Sequence, residues 1–142
     1  MSIWHGDNDL SKINLMGKSS MTGFLEIDVT RILEDGIEAT MPVNEKTKQP
    51  FGLLHGGASC VLAETIGSIA SNLVIDQKSF AAVGQSINAN HLKGARGGLV
   101  RGVCKAIHIG RKSHVWEINI YNNEDSLVCV SRLTMAIIEK SS

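Results

Sequence analysis

The sequence predicts an α+β fold in which one long helix packs against an antiparallel sheet, and three observations carry this prediction. The segment patterns run in the order helix, two strands, long helix, four strands, without the strand and helix alternation that builds parallel sheets. Residues 56–75 form an apolar run, GGASCVLAETIGSIASNLVI, that supplies the long helix. Further along, residues 116–120, WEINI, alternate between apolar and polar side chains, which is typical of a strand with one buried face.

The N-terminal part predicts a short helix followed by a pair of strands. Residues 7–16 have apolar side chains at helical spacing, Asp7 and Asn8 are both suitable N-caps, and Gly17 suits the end of a helix. Residues 23–43 then show two strand-like stretches separated by an EDG sequence, which indicates two strands joined by a tight turn.

The rest of the chain predicts a loop, the long helix and four strands. Residues 44–55 form the loop, because they are of mixed polarity and contain Pro50 and Gly52. Four strands separated by short turns are predicted after the helix, at 79–93, 99–109, 113–122 and 127–139. Nothing in the chain resembles a linker, and we therefore expect one domain spanning 1–142.

Composition limits the classes of partner and of site. The chain has 14 basic and 14 acidic residues, and this zero net charge argues against bulk electrostatic binding to nucleic acid or to a membrane. The N-terminus lacks the apolar core of a secretory signal, and the stretch at 58–75 is expected to fall short of a membrane span because it contains a glutamate and small polar residues. The three cysteines lack metal-ligand spacing and lie in apolar stretches, which predicts free thiols, no metal site and a cytoplasmic location.

The long helix is predicted to present two different faces. On a helical wheel, a broad apolar stripe should face the sheet, and its members are Ala58, Leu62, Thr65, Ile66, Ile69, Ala70 and Leu73. The opposite face carries smaller or polar side chains, namely Cys60, Glu64, Gly67, Ser68 and Ser71. A solvent-exposed face would normally carry long charged side chains at i, i+4 spacing, so this small face indicates the close approach of a partner helix or of a ligand.

Glu64 is the one charged residue of this helix, and it has no counter-ion within the helix. The positions three and four residues away hold Val61, Gly67, Cys60 and Ser68, none of which is cationic. An isolated carboxylate on a small-residue face is suited to act as a general base or acid. The alternative is a structural glutamate that is exposed or paired with a basic residue from elsewhere in the fold.

The start of the helix offers a second chemical group. Gly56 and Gly57 fall in its first turn, where backbone N–H groups have no intrahelical partner and the helix dipole favours negative charge. Such groups are suited to stabilise an oxyanion. Glu64 lies eight residues beyond Gly56, which is about 12 Å along the axis at about 1.5 Å per residue and too far for both groups to act on one carbonyl carbon. A dimer with adjacent helices would bring the glutamate of one chain to the helix start of the other.

These residues resemble those of a known family. The run QPFGLLHGGA at 49–58, the position of Glu64 and the INANHLK stretch at 87–93 are similar to the hotdog-fold acyl-CoA thioesterases, over about residues 16–138. The resemblance is to the branch with a catalytic glutamate on the central helix. The longer sequence TKQPFGLLHGGAS is similar to the thioesterases for 1,4-dihydroxy-2-naphthoyl-CoA of menaquinone synthesis. The resemblance implies hydrolysis of an acyl-CoA to a free acid and CoA, without a cofactor.

The resemblance also implies an assembly and roles for individual residues. It implies that the sheet wraps the helix, that two chains form the active site through a continuous double sheet, and that two dimers usually form a tetramer. By motif position, Glu64 is the catalytic carboxylate, Gly56 the oxyanion donor and Ser68 the hydroxyl that orients water. Gln49 and His55 position the thioester, the water or the leaving thiolate.

His91 and Lys93 lie where the family meets the pantetheine arm and the nucleotide of CoA. The alternative for His91 is a structural histidine of the core or of a subunit interface. Basic residues elsewhere are weaker candidates for the CoA phosphates, namely Arg96, Arg111, Lys112 and Arg132.

Two other functions stay open at the level of the sequence. A hotdog dehydratase uses a histidine and an acidic residue on 3-hydroxyacyl thioesters, and His55 with Glu64 resembles that pair. A non-catalytic acyl-CoA-binding module is the second alternative. The acyl group, aromatic or aliphatic, and the choice between Glu64 as nucleophile or as general base are also left open.

Overall fold

The structure is a computed structural model, and it describes residues 2–141. Its helices and strands are α1 Leu10–Met16, α2 Met21–Phe24, β1 Asp28–Ile32, β2 Gly36–Pro42, α3 Gly56–Val74, β3 Phe80–His91, β4 Leu99–Ile109, β5 Ser113–Tyr121 and β6 Leu127–Glu139. The strands form one antiparallel sheet in the order β1-β2-β4-β5-β6-β3. The predicted α+β class, with one long helix on an antiparallel sheet, is confirmed.

The alternation in the central strand β5 builds the floor of the core. Trp116, Ile118 and Ile120 are fully buried, while the residues between them are only half-buried. These side chains pack beneath the inner face of α3, where Leu62 and Ile66 are also fully buried. The sheet therefore holds α3 along its length and leaves the other face of that helix available.

The buried face of α3 differs in part from the predicted stripe. Gly67 and Ser71, which were predicted to face away from the sheet, are buried, whereas Thr65, Ile69 and Leu73 are only half-buried. Gly67 faces the sheet because Leu133 packs directly on it, so that a Cβ there would collide with Leu133 Cδ2. The helical-wheel prediction assigned Gly67 and Ser71 to the outer face of α3 because it considered their low hydrophobicity and not their small side-chain volume.

Ser71 faces the sheet because it takes part in a buried hydrogen-bond network. Its hydroxyl accepts a hydrogen bond from Trp116 Nε1 at 2.6 Å and lies 2.9 Å from His114 Nδ1. The hydroxyl has no other acceptor among the described residues, so it donates to His114 Nδ1 and the neutral ring carries its proton on Nε2. Burial of His114, and secondarily its proximity to His108, lowers the pKa of its imidazole.

The N-terminal segment contains the predicted short helix and the predicted pair of strands, but the start of the helix and the start of the first strand differ from the prediction. α1 starts at Leu10 with Asp9 as its N-cap, not Asp7 or Asn8, because the Asp9 carboxylate accepts a hydrogen bond from Ser11 N at 2.9 Å. Gly17 is the C-cap, as predicted.

Residues 21–24 form the short helix α2, where the sequence predicted the beginning of a strand. Gly23 N donates to Gly17 O at 2.9 Å, and a Cβ on Gly23 would collide with the Lys18 carbonyl. This tight turn keeps the chain helical until β1 begins at Asp28. Asn14 then joins α1 to β1, because its side chain accepts from Val29 N at 2.8 Å and donates to Val29 O at 2.9 Å.

By length and composition alone, the 19-residue helix α3 is long and apolar enough to cross a membrane. The expectation that this stretch falls short of a span was therefore wrong by composition. The core helix of a folded domain satisfies the same criteria, and α3 contacts five strands of the sheet, β2 to β6.

Candidate active site

The start of α3 presents one free backbone donor. His55 is the N-cap, and its Nδ1 accepts a hydrogen bond from Gly57 N at 2.8 Å. Because Nδ1 is the acceptor, a neutral His55 carries its proton on Nε2. The N–H of Gly56 has no acceptor among residues 2–141. The cap therefore satisfies Gly57 and leaves the Gly56 N–H at the positive end of the helix dipole.

The loop before α3 holds Gln49 in a fixed conformation. Gln49 N donates to Leu53 O at 2.8 Å, and Gly52, with a φ of 84°, donates back to Gln49 O at 3.0 Å. The side-chain oxygen of Gln49 accepts from Phe51 N at 2.5 Å. The side-chain NH₂ of Gln49 has no acceptor within the described part of the chain, so it is available as a donor.

Glu64 lies on the outer face of α3, against the edge strand β3. A Cβ on Gly84 would lie 2.6 Å from Glu64 Oε2, so the carboxylate occupies the space that a side chain at position 84 would take. The ladder between β3 and β6 is irregular between Gly84 and Ser86. None of the described residues forms an ion pair or a hydrogen bond with the Glu64 carboxylate.

A groove of about 440 Å³ runs along this face of α3. It is lined by Thr22, Cys60, Val61, Glu64, Thr65, Ser68 and Ile69. The Ser68 hydroxyl lies one helical turn after Glu64, on the same side. The carboxylate thus faces a space that water and a ligand can enter.

His91 lies at the end of β3 and covers the start of α3. A Cβ on Gly56 would lie 2.9 Å from His91 Nε2, and the His91 ring is exposed on its other side. Lys93 is directed elsewhere, because its Nζ lies 3.4 Å from Ser126 Oγ in the turn between β5 and β6. The structure thus brings His91, but not Lys93, to the other candidate residues of the helix start.

The candidate residues therefore form two separate groups within one chain. The helix-start cluster consists of Gln49, His55, Gly56 and His91, and the glutamate cluster consists of Glu64, Ser68 and Gly84. Gly84 and His91 are seven residues apart on β3, which is roughly 23 Å at ~3.3 Å per residue. The two reacting groups themselves, the Gly56 N–H and the Glu64 carboxylate, belong to residues eight positions apart in α3, about 12 Å along the axis at ~1.5 Å per residue, so one chain does not bring both to the same carbonyl.

Gly84 and Thr22 also contact the candidate site, and neither was predicted from the sequence. A lone glycine within the strand pattern FAAVGQSINANH is a signal of close backbone approach, and it would have pointed to Gly84. Thr22 carries no such signal, because it reaches the groove through α2, which was not predicted.

The Cys60 thiol lines the groove, whereas several other reactive side chains lie outside it. The Ser71 and His114 pair is buried beneath α3, so the hydroxyl is inaccessible to a substrate. Burial raises the pKa of the Cys104 thiol, and burial together with the nearby Cys60 thiol raises the pKa of Cys129. Among residues 2–141, no three His, Cys, Asp or Glu side chains are grouped so as to hold a metal ion.

The sequence is similar to that of a well-represented superfamily. Residues 51–129 match the thioesterase superfamily. The chain is 52% identical over 136 residues to the 1,4-dihydroxy-2-naphthoyl-CoA hydrolase of Escherichia coli K12, with 96% of this chain and 99% of that protein covered. It is 46% identical over 136 residues to the proofreading thioesterase EntH of Cronobacter sakazakii, with 96% and 98% covered.

Solved structures share the fold over nearly the whole chain. A mutant thioesterase from Pseudomonas aeruginosa superposes with a TM-score of 0.96 at 44% identity, covering 98% of this chain and 100% of that one. A thioesterase from Haemophilus influenzae superposes with a TM-score of 0.93 at 44% identity, covering 96% and 95%.

Proposed function

This chain belongs to the thioesterase superfamily and hydrolyses an acyl-CoA thioester, and we propose that it does so on an aromatic acyl group, at a site assembled from two copies of the chain. The observation that carries the proposal is the placement of Glu64. Its unpaired carboxylate lies in a groove, one helical turn before the Ser68 hydroxyl, against Gly84 of an edge strand. A positioned base beside an open groove is what the addition of water to a thioester requires.

The free edge of β3 supports the two-copy site. β3 is the last strand of the sheet, so one of its edges is open to antiparallel pairing with β3 of a second copy. The glutamate cluster lies at Gly84 and the helix-start cluster at His91. With a two-fold axis near Ile87 and Asn88, midway between them, each glutamate cluster faces the helix-start cluster of the other copy. The two groups that one chain keeps apart then act on one carbonyl.

The free N–H of Gly56 is the proposed oxyanion donor. Attack on the thioester carbon places negative charge on the carbonyl oxygen, and a backbone donor at the start of a helix stabilises that charge. Glu64 either takes the proton from the attacking water, which Ser68 orients, or attacks the carbon itself. When water attacks, the tetrahedral intermediate expels the CoA thiolate and gives the free acid directly. When Glu64 attacks, expulsion of the thiolate leaves a mixed anhydride on Glu64, and water then hydrolyses this anhydride to release the free acid.

His55 and Gln49 supply the remaining proposed donors. Because His55 Nδ1 is occupied by the helix cap, its Nε2–H is directed to the thioester or to the leaving thiolate. The NH₂ group of Gln49 is fixed by the loop and orients the same carbonyl or the water. His91 lies beside Gly56 and is proposed to contact the pantetheine arm, with Lys93 further out toward the nucleotide.

The proposed substrate is 1,4-dihydroxy-2-naphthoyl-CoA, which would place the reaction in menaquinone synthesis. This rests on the 52% identity to a hydrolase named for that substrate, over nearly the full length of both proteins. The free thiols of Cys60, Cys104 and Cys129 support a reducing, cytoplasmic location. The proposed assembly is a homodimer, with two dimers in a tetramer.

The proposal is tested by CoA release from a panel of aromatic and aliphatic acyl-CoAs, with wild type, Glu64→Gln and Glu45→Gln side by side. Wild type should act fastest on aryl thioesters and best on 1,4-dihydroxy-2-naphthoyl-CoA. Glu64→Gln should lose at least about 10²-fold in rate, since it removes the catalytic base. The exposed Glu45→Gln control should retain full turnover.

Three results would contradict the proposal. Turnover of the Glu64→Gln variant close to that of wild type would remove Glu64 from the chemistry. Binding of acyl-CoA without thiol release, or loss of water from a 3-hydroxyacyl-CoA, would instead indicate a binding module or a dehydratase.

A further inference from the structure

The groove that contains Glu64 continues beyond it into a second cavity. This cavity has a volume of about 380 Å³, and it shares Thr22, Ser68 and Ile69 with the groove. Because they share these lining residues, the two cavities adjoin. The pair, here called the channel, reaches from Glu64 to a point under α1 beside Asn72 and Gln77. Both parts fall within the range of roughly 300 to 1,000 Å³ that is usual for small-molecule sites.

One wall of the channel carries a row of polar side chains. Glu64, Ser68 and Asn72 follow one another at i, i+4 and i+8 on α3, so they lie one above the other on the same face. The row spans about 12 Å at ~1.5 Å per residue. The opposite wall is mainly apolar, with Ile13, Ile27 and Val29 among its lining residues, and it also includes Asn14 and Thr22. A flat apolar group in the channel can therefore pack against the wall with Ile13 and Ile27 and contact the polar row of α3 on its other side.

The outer wall belongs to the N-terminal helices, which are fixed to the sheet. Asn14 holds α1 through two hydrogen bonds to the backbone of Val29, and Thr22 of α2 packs on Gly17. These helices precede the residues that match the superfamily, 51–129. The wall is thus a feature of this chain's N-terminal segment.

Asn72 offers an unused acceptor at the far end of the channel. Its Nδ2 donates to Ser68 O at 2.9 Å, which fixes the orientation of the amide. Its Oδ1 has no donor among the described residues. Gln77 Nε2 is already committed to the backbone carbonyl of Asn72, at 2.7 Å. An O–H donor on a ligand would complete the hydrogen bonding of the Asn72 side chain.

We propose that this channel takes the acyl group of the substrate and that Asn72 recognises a hydroxyl substituent on its ring. The inference rests on the proposed function, because it places the thioester at Glu64. The ring lies between the apolar wall and the polar row, and the hydroxyl donates to Asn72 Oδ1. Asn72 is then a specificity-determining residue with no part in the chemical step.

The first test compares benzoyl-CoA with 4-hydroxybenzoyl-CoA, using wild type and Asn72→Leu. Leucine is close to asparagine in size and a good helix former, so the variant should fold. We expect kcat/KM of the variant for 4-hydroxybenzoyl-CoA to fall roughly tenfold, which is the effect of losing one hydrogen bond. Its kcat/KM for benzoyl-CoA should stay within about twofold of the wild-type value. An equal fall for both substrates, or no fall for either, would overturn the role of Asn72.

The second test narrows the channel with Thr22→Phe and uses the exposed Ser19→Phe as a matched control. We expect kcat/KM for benzoyl-CoA to fall at least tenfold in the Thr22 variant alone, while the inhibition constant of free CoA stays at the wild-type value. Wild-type turnover by a folded Thr22→Phe variant would overturn the channel. Failure of the proposed function has a different signature, because turnover would then survive Glu64→Gln on every substrate.

Discussion

Gly84 is the residue that allows the Glu64 carboxylate to rest on β3, so adding one methyl group there is expected to displace the carboxylate. A Cβ at position 84 would lie 2.6 Å from Glu64 Oε2. Ordinary contacts between carbon and oxygen are near 3.4 Å, so the carboxylate must shift by on the order of 1 Å. A misplacement of about 1 Å commonly costs about 10²-fold in rate. Gly84→Ala should therefore lower kcat by about that factor.

The assay is CoA release under saturating and limiting aryl-CoA. The change in Gly84→Ala should lie in kcat more than in KM, because the carboxylate acts on the transition state and contributes little to substrate binding. Gly97→Ala is the matched control, since no heavy atom lies within 4 Å of its added Cβ. Circular dichroism and size-exclusion chromatography establish that fold and assembly are retained. A folded Gly84→Ala enzyme with wild-type kcat would refute the reasoning.

Two further changes separate stability from chemistry. His55→Ala removes the N-cap of α3, so it should lower stability by about 1 kcal/mol and activity by about 10²-fold. His55→Asn restores a capping side chain and should recover the melting temperature but not the activity. Recovery of both would contradict the proposed Nε2–H donor. Burial lowers the pKa of His114 below the ordinary histidine value of about 6.5. The unfolded chain therefore takes up a proton that the folded chain does not, and stability should fall as the pH drops below about 6.5. Melting curves at pH 5 and pH 7 should show a smaller pH effect in His114→Gln than in wild type, and an equal effect would contradict this assignment.

The sequence predicted the elements whose periodicity is long and regular. α3 was predicted within one residue of its observed end, because a run of 19 helical residues with a single charge leaves few alternatives. The four C-terminal strands were predicted because short turn sequences separate strand-like stretches; the observed strands are 9 to 13 residues long, and β5 alternates over its whole length. Glu64 could be singled out because its isolation is visible in the helical spacing itself.

Features that depend on contacts between distant segments were not predictable. Gly67 faces the sheet because of its contact with Leu133, and Ser71 faces the sheet because of its hydrogen bond with Trp116. Leu133 and Trp116 are both far from α3 in the sequence. α2 depends on one tight turn around Gly23, which carries no periodic signal. The absence of any metal or cofactor in catalysis stays a prediction from the resemblance.

The composite site is the central claim, and subunit complementation tests it most directly. Glu64→Gln lacks the glutamate cluster, and a Gln49→Ala, His55→Ala double variant lacks the helix-start cluster, so each alone should be inactive. After co-refolding at equal concentration, half of the dimers are mixed, and each mixed dimer holds one intact site of two. The account predicts that about a quarter of the wild-type activity returns. Activity no greater than that of the separate variants, with mixed dimers demonstrated by mass spectrometry, would show that each site lies within one chain.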